Sequence, residues 1–267
     1  MKKYWHVIGI GIQNNLTYRV NYLARTLFSF IPLFAMLSLW RQIYAQQSGA
    51  PLSGYVPAQM IFYYLMVAVV DVLTAVNEDD WQIAADIREG NISQFLLKPI
   101  DYLWYRLCLF FSGRIAFMSM ACIPLAVFIY CFRGYFVAPV TDGAFVAFLF
   151  SIVLTALLQF FISYSMAMLA FWFLEITTLI FILFAFEYLA SGHLFPLDLL
   201  PAPLQDALYY TPFPSMLYVP IAIYMGKIVG ARIWLALGMQ LLWLVLAYGL
   251  ARFAWLRGIK KYAAFGG

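Results

Sequence analysis

An all-helical integral membrane fold with six crossings is predicted by three observations. Six stretches are apolar enough to span a bilayer, where about 20 residues rising about 1.5 Å each cover roughly 30 Å of hydrocarbon. The composition, 65% hydrophobic, 19% aromatic and 10% charged, leaves too little polar surface to cover a soluble globule of 267 residues. The basic residues, finally, fall asymmetrically about those stretches. The predicted spans are 20–40, 57–77, 102–132, 144–173, 176–191 and 230–255, the fifth short and bounded by Gly192. They form one transmembrane domain over 1–267, and because residues 1–17 contain no continuous apolar run and no small-residue cleavage pattern, the first span is expected to stay in place as its own anchor.

Taken in order, residues 1–19 carry Trp5, Ile8, Ile12 and Leu16 at three- and four-residue spacing, with Lys2, Lys3, Gln13, Asn14 and Asn15 largely on other faces. This predicts a helix lying in the inner interface, either as an anchor or as a transmitter of force to the first span. With the N-terminus inside, twelve of the sixteen basic residues lie on or near the cytoplasmic side, and only Arg41, Arg133, Lys227 and Arg232 fall toward the outside. Positive charge is retained in the cytoplasm during insertion, so both termini are predicted inside. The net charge of +4 then reflects topology and contact with anionic lipid. No basic and aromatic interleaved surface exists to hold a nucleic acid.

The polar insert 78–101 separates the second span from the third. Asn77, Glu78, Asp79 and Asp80 place acids at a helix start, where they suit the positive end of the dipole, and Trp81, Ala84 and Ile87 follow along one side. Gly90-Asn91 predicts a helix stop, Ser93 is a candidate cap for a second turn bearing Phe95 and Leu96, and Pro99 interrupts before the third span. A short amphipathic helix between two long spans is suited to dock into a groove on a soluble partner. Its plainer reading is a solvated loop on the membrane surface.

The third span holds all three cysteines, Cys108, Cys122 and Cys131, whose helical spacing and expected burial make them small apolar packers. His6 and His193 are far apart and neither belongs to a ligand-spaced set, so no metal site is expected. Residues 192–229 are too apolar for a free loop and too broken by proline for a continuous span. Non-helical backbone at membrane depth survives only where protein or a wet cavity satisfies its polar groups, which predicts a re-entrant pair of short helices closing an outer mouth.

Ionisable groups at depth are costly and usually face a bundle interior. Glu175 reads as interfacial, and Asp71 as close enough to the cytoplasmic end to pair with an arginine or stay wet. Glu187 reads either as a pathway residue or as one end of a helix-to-helix hydrogen bond. Glu187, Asp71 and His193 are the candidate pathway residues; the neighbouring Phe181, Phe184 and Phe186 either line an apolar route or face lipid.

The run from Asp86 through Ile87-Arg88-Glu89-Gly90-Asn91-Ile92-Ser93-Gln94-Phe95-Leu96-Leu97-Lys98-Pro99 to Ile100 resembles the segment between the second and third spans of bacterial type-2 ABC exporter permeases. The six spans and the proline-broken segment after Gly192 are similar to that family as well. The resemblance implies that Asp86, Ile87, Arg88, Glu89 and Gly90 belong to a coupling helix contacting two ATP-binding subunits, which would carry the ATP and Mg. It also implies a second permease subunit, identical or homologous, in the bacterial inner membrane. The expected cargo is amphipathic, lipid-like or a hydrophobic drug, moved outward.

The residues themselves point the same way about the motor. Gly9-Ile10-Gly11 lacks the third glycine, the preceding strand and the following Lys-Ser/Thr of a phosphate loop, so ATP would be handled by another chain. The competing expectation is an ion- or proton-coupled secondary transporter with Glu187 and Asp71 as carriers. An intramembrane enzyme finds no nucleophile and base pair to support it.

Overall fold

The computed structural model describes residues 2–17, 24, 27–28, 30–46, 50–74, 79–173 and 175–262. Among these the protein is all-helical, apart from an isolated antiparallel bridge between Leu52 and Tyr55. The helices are α1 (Lys2–Thr17), α2 (Phe30–Gln46), α3 (Pro57–Thr74), α4 (Asp79–Arg88), α5 (Ile92–Leu96), α6 (Tyr102–Cys131), α7 (Asp142–Ala167), α8 (Thr177–Ala190), α9 (Ala202–Tyr209), α10 (Tyr218–Tyr224) and α11 (Ala231–Gly258). Four described helices are long and apolar enough to cross a membrane: α3, α6, α7 with its 3-10 continuation to Phe171, and α11.

Among the described residues neither of the remaining two predicted crossings is a helix of 18 residues or more. The stretch 20–40 was bounded at Trp40, yet α2 runs on to Gln46, because Trp40 and Tyr44 are buried and bonded. Trp40 Nε1 donates to Tyr64 Oη at 2.7 Å, and Tyr44 Oη donates to the Tyr55 carbonyl at 2.7 Å. Residues 18–23, 25, 26 and 29 lie outside the described set, as do Asn77 and Glu78. The predicted fifth span is α8, whose 14 residues rise only about 21 Å.

Helix boundaries follow local chemistry. Asp101 caps α6 by accepting the Trp104 N–H at 3.2 Å, and Thr141 caps α7 by accepting the Ala144 N–H at 3.1 Å. Ser93 is not the cap predicted for α5: Asn91 holds that position without a side-chain bond, and the Ser93 hydroxyl donates back to the Gly90 carbonyl at 2.7 Å. Glu175 is exposed as expected, and its carboxylate accepts the Thr177 N–H at 2.7 Å at the start of α8. The Thr177 side chain, together with that N–H, holds its carboxyl below the ordinary value.

Helix α7 is the hub, packed by α11, α10, α4 and α3. The core divides toward the two ends of the bundle. One cluster joins Met60, Tyr63 and Leu65 of α3 to Ile221 of α10 and Leu237 of α11. The other joins Ile83, Ile87 and Ile92 of the insert to Leu103, Leu158, Tyr164 and Ala251. Outward faces are apolar: Ile123 is 74% exposed and Trp234 76%, as lipid-facing side chains are.

Three further expectations meet their physical test here. Helix α1 lies along α6, where Gly11 approaches so closely that a Cβ would overlap the Ser112 hydroxyl, and Lys3 Nζ donates to the Pro99 carbonyl. Ile8 and Ile12 are consequently half-buried, while Trp5 and Leu16 stay exposed. Cys122 and Cys131 are exposed on the outer face of α6 and Cys108 is half-buried, which corrects the expected burial of all three. The segment 192–229 contains α9 and α10, with a 3-10 turn at Leu197–Leu199 before α9 and another at Phe213–Met216 between the two. No residue of α9 is buried, whereas Val219 to Ile223 of α10 all are.

Candidate functional site

The five insert residues singled out in the sequence divide between two jobs. Asp86 and Ile87 face inward. The Tyr102 hydroxyl donates to Asp86 Oδ2 at 2.8 Å, and Arg106 Nη2 lies 3.5 Å from the same oxygen. Arg106 is 5% exposed, its guanidinium stands 5.7 Å over the Tyr102 ring, and that ring stacks on Trp255 with centroids 5.0 Å apart. Asp101, the cap of α6, accepts from Arg252 Nη1 at 2.6 Å. One network therefore ties α4 to the first turns of α6 and the last turns of α11. Ile87 is buried beside Ile83 and Ala84, so the insert is clamped to the bundle and its reading as a solvated loop falls away.

Glu89 and Gly90 lie on the other side. Gly90 has φ +82, a left-handed geometry that ends α4 and that a side chain would strain. Glu89 is exposed and its carboxylate accepts from Asn91 Nδ2 at 3.2 Å; Arg88 is half-buried between the two faces. The open face continues through Gln94, Leu96, Leu97 and Lys98, with Leu97 89% exposed.

The three pathway candidates come together, Asp71 joining Glu187 and His193 from more than a hundred residues away in sequence. Asp71 of α3, Glu187 of α8 and His193 line one cavity of about 140 Å³, with Gln159 and Ser163 of α7 and the apolar walls of Ile162, Leu183, Phe184 and Met216. His193 Nε2 is 3.0 Å from Asp71 Oδ1, and its Nδ1 is 2.7 Å from the Ser191 hydroxyl. With Nε2 carrying the proton, His193 donates to Asp71 and accepts from Ser191. The Tyr188 ring stacks on the imidazole at 4.8 Å. Asp71 thus pairs with a histidine rather than with the arginine that its place near the end of α3 suggested, because the chain after Gly192 returns into the bundle. The return is held by Tyr63, which donates to the Gly192 carbonyl at 2.6 Å, and by Tyr64, which donates to that of Leu194. The Glu187 carboxylate faces this same cavity.

In a comparison with protein families, the model described as ABC-2 family transporter protein matches residues 30–266. The chain belongs to the ABC-2 transporter family. It is a multi-pass membrane protein of the type-2 ABC permease kind; permeases of this family are generally non-catalytic membrane subunits and normally work with ATP-binding subunits. A search of curated proteins finds no match. Gly9 and Gly11 of this ABC-2 permease lie inside α1, Gly11 against Ser112, and form no phosphate loop.

The sequence reading passed over the polar side of α7. Ser151, Thr155, Gln159 and Ser163 recur every four residues on one face of an otherwise apolar helix, and that spacing was the available signal. At one end the stripe is fully used. Ser151 donates to Gln240 Oε1 at 2.8 Å, Gln240 Nε2 donates to Thr155 Oγ1 at 3.1 Å and to the Ser215 carbonyl at 2.8 Å, and Thr155 donates to that carbonyl at 2.9 Å. Gln159 Nε2 donates to the Met216 carbonyl at 3.1 Å. At the other end Gln159 Oε1 and Ser163 Oγ are buried without a partner among the described residues, where the stripe enters the cavity. Arg106 was missed as well, since a lone basic residue near a span end reads as an inner-face anchor.

Proposed function

We propose that this ABC-2 permease is the transmembrane subunit of an ATP-driven bacterial exporter, with six crossings and both termini in the cytoplasm. In this reading α1 is the interfacial helix, 78–101 the coupling insert and 192–229 the outer re-entrant segment. Two ATP-binding subunits, carrying ATP and Mg, would dock on the open face of the insert, and a second permease, identical or homologous, would complete the pathway in the inner membrane. The cargo would be amphipathic, lipid-like or a hydrophobic drug.

The insert carries the proposal. It presents Glu89, Gln94, Leu96, Leu97 and Lys98 outward on a scaffold clamped inward through Asp86 and Ile87. A face that is exposed yet rigidly seated can pass a push from a soluble partner into α6 and α11. A free loop would absorb it. The test replaces Glu89 by Arg and Gly90 by Leu together, then measures assembly with the ATP-binding subunit and ATP hydrolysis in proteoliposomes. Assembly or coupling should fail while membrane insertion persists, and wild-type behaviour in both assays would overturn the assignment.

A second reading, an ion- or proton-coupled transporter, draws on the contact between Asp71 and His193 beside Glu187. It requires transport by the purified chain without any ATP-binding subunit, which flux measurements on that chain decide.

A further inference from the structure

The cavity between α3, α7, α8 and His193 has the wrong chemistry for a purely apolar passenger. Five of its nine lining residues are polar: Asp71, Gln159, Ser163, Glu187 and His193. Its free groups are dominated by acceptors. Glu187 offers two carboxylate oxygens, Asp71 one beyond its contact with His193, and Gln159 its Oε1. Gln159 and Ser163 are each only 7% exposed, so their unpartnered atoms carry the full desolvation cost of buried polar groups unless something enters to meet them. When ionised, two carboxylates against one imidazole leave the site negative in either imidazole form. A negative cavity at membrane depth selects a cation.

The type of cation follows from the same groups. Among the described residues no set of three or more His, Cys, Asp and Glu is arranged to hold a metal ion. An amide oxygen and carboxylates converging on about 140 Å³ instead suit a head group that brings several N–H donors. Ile162, Leu183, Phe184 and Met216 complete the wall, an apolar surface for an attached alkyl or aryl chain. We propose that this cavity binds the protonated amine head of an amphipathic primary or secondary amine, with Glu187 and Asp71 meeting its charge and Gln159 Oε1 and Ser163 Oγ accepting or exchanging its N–H bonds. The role of that amine as cargo rests on the permease reading above; the binding site itself does not.

The test is calorimetry on the purified full chain in nanodiscs at neutral pH with n-hexylamine, which is short enough to limit partition into lipid and is protonated there. Hexyltrimethylammonium keeps the charge without N–H donors, and 1-hexanol keeps the chain without the charge. Hexylamine should bind at least tenfold more tightly than either. Glu187→Gln and, as an independent variant that leaves both carboxylates in place, Gln159→Leu should each weaken it at least tenfold while eluting as monodisperse protein.

Absence of hexylamine binding, equal binding of hexanol or of the quaternary amine, or unchanged affinity in the Gln159→Leu variant would each overturn the proposal. Failure of the ATP-binding subunit to associate, with amine binding intact, would instead strike the exporter reading and leave the site standing.

Discussion

Removing the charge from Asp86 should loosen the clamp that holds the insert to the bundle, and the size of the effect can be argued from its partners. Asp86→Asn keeps an oxygen for the Tyr102 hydroxyl but leaves the Arg106 guanidinium, 5% exposed, without its counter-charge. Breaking a fully buried ion pair by deleting one member costs about 3–5 kcal/mol. Here the contact is 3.5 Å and the Asp86 side chain is 23% exposed, so water shares the neutralisation and about 2 kcal/mol is expected. Arg106→Met removes the buried cation while leaving Asp86 bonded to Tyr102, and should cost less, about 1 kcal/mol. The double variant should be no less stable than Asp86→Asn alone, since neither uncompensated charge remains; the coupling energy is then about 1 kcal/mol or more. The assay is unfolding of the purified protein in mixed micelles titrated with SDS, followed by far-ultraviolet circular dichroism, for wild type, both singles and the double. Strictly additive losses, within about 0.5 kcal/mol, would refute the clamp and make Asp86 an ordinary surface carboxylate.

Gln240→Leu should lower the thermal unfolding midpoint, because it strands the Ser151 hydroxyl and withdraws a donor from the Ser215 carbonyl in a fully buried site, a loss of about 1–3 kcal/mol; an unchanged midpoint in a dye-binding melt would remove the network as the tie that holds the Phe213–Met216 turn. On a background with Cys108, Cys122 and Cys131 replaced by Ala, a cysteine at Asp206 should react with an impermeant thiol reagent in intact cells, and one at Leu97 only after permeabilisation; the reverse pattern would invert the proposed topology. Glu187→Gln should alter transport or cargo preference with normal folded yield, and Glu187→Leu should do the same, because the carboxylate faces the cavity; loss of folded yield in the Leu variant alone would give Glu187 a structural role.

Hydropathy and spacing by themselves determined the membrane class, the ends of α6 and α11 to within a few residues, the helix stop at Gly90 and the broken character of 192–229. Each is a local property: a long apolar run, a left-handed glycine, a proline that removes a backbone donor. The same local rules failed at α2, whose end is set not by its own residues but by Tyr64 and Tyr55 reaching across from elsewhere. They failed again at Asp71, placed correctly near one end of α3 but paired with a residue 122 positions away that composition gave no reason to choose.

Only the tertiary structure decided which way each polar group points, and that choice is what makes a site. It turned Asp86 inward and left Glu89 outward within one helical turn, and it gathered Asp71, Glu187 and His193 around one cavity. It also divided the four-residue stripe of α7 into an end consumed by Gln240 and the Phe213–Met216 turn and an end left open. The physical reason is that burial sets the value of a polar atom by its neighbours: Gln159 and Ser151 share a face in sequence, but only the packing of α11 and of the chain after Gly192 leaves one satisfied and the other facing space.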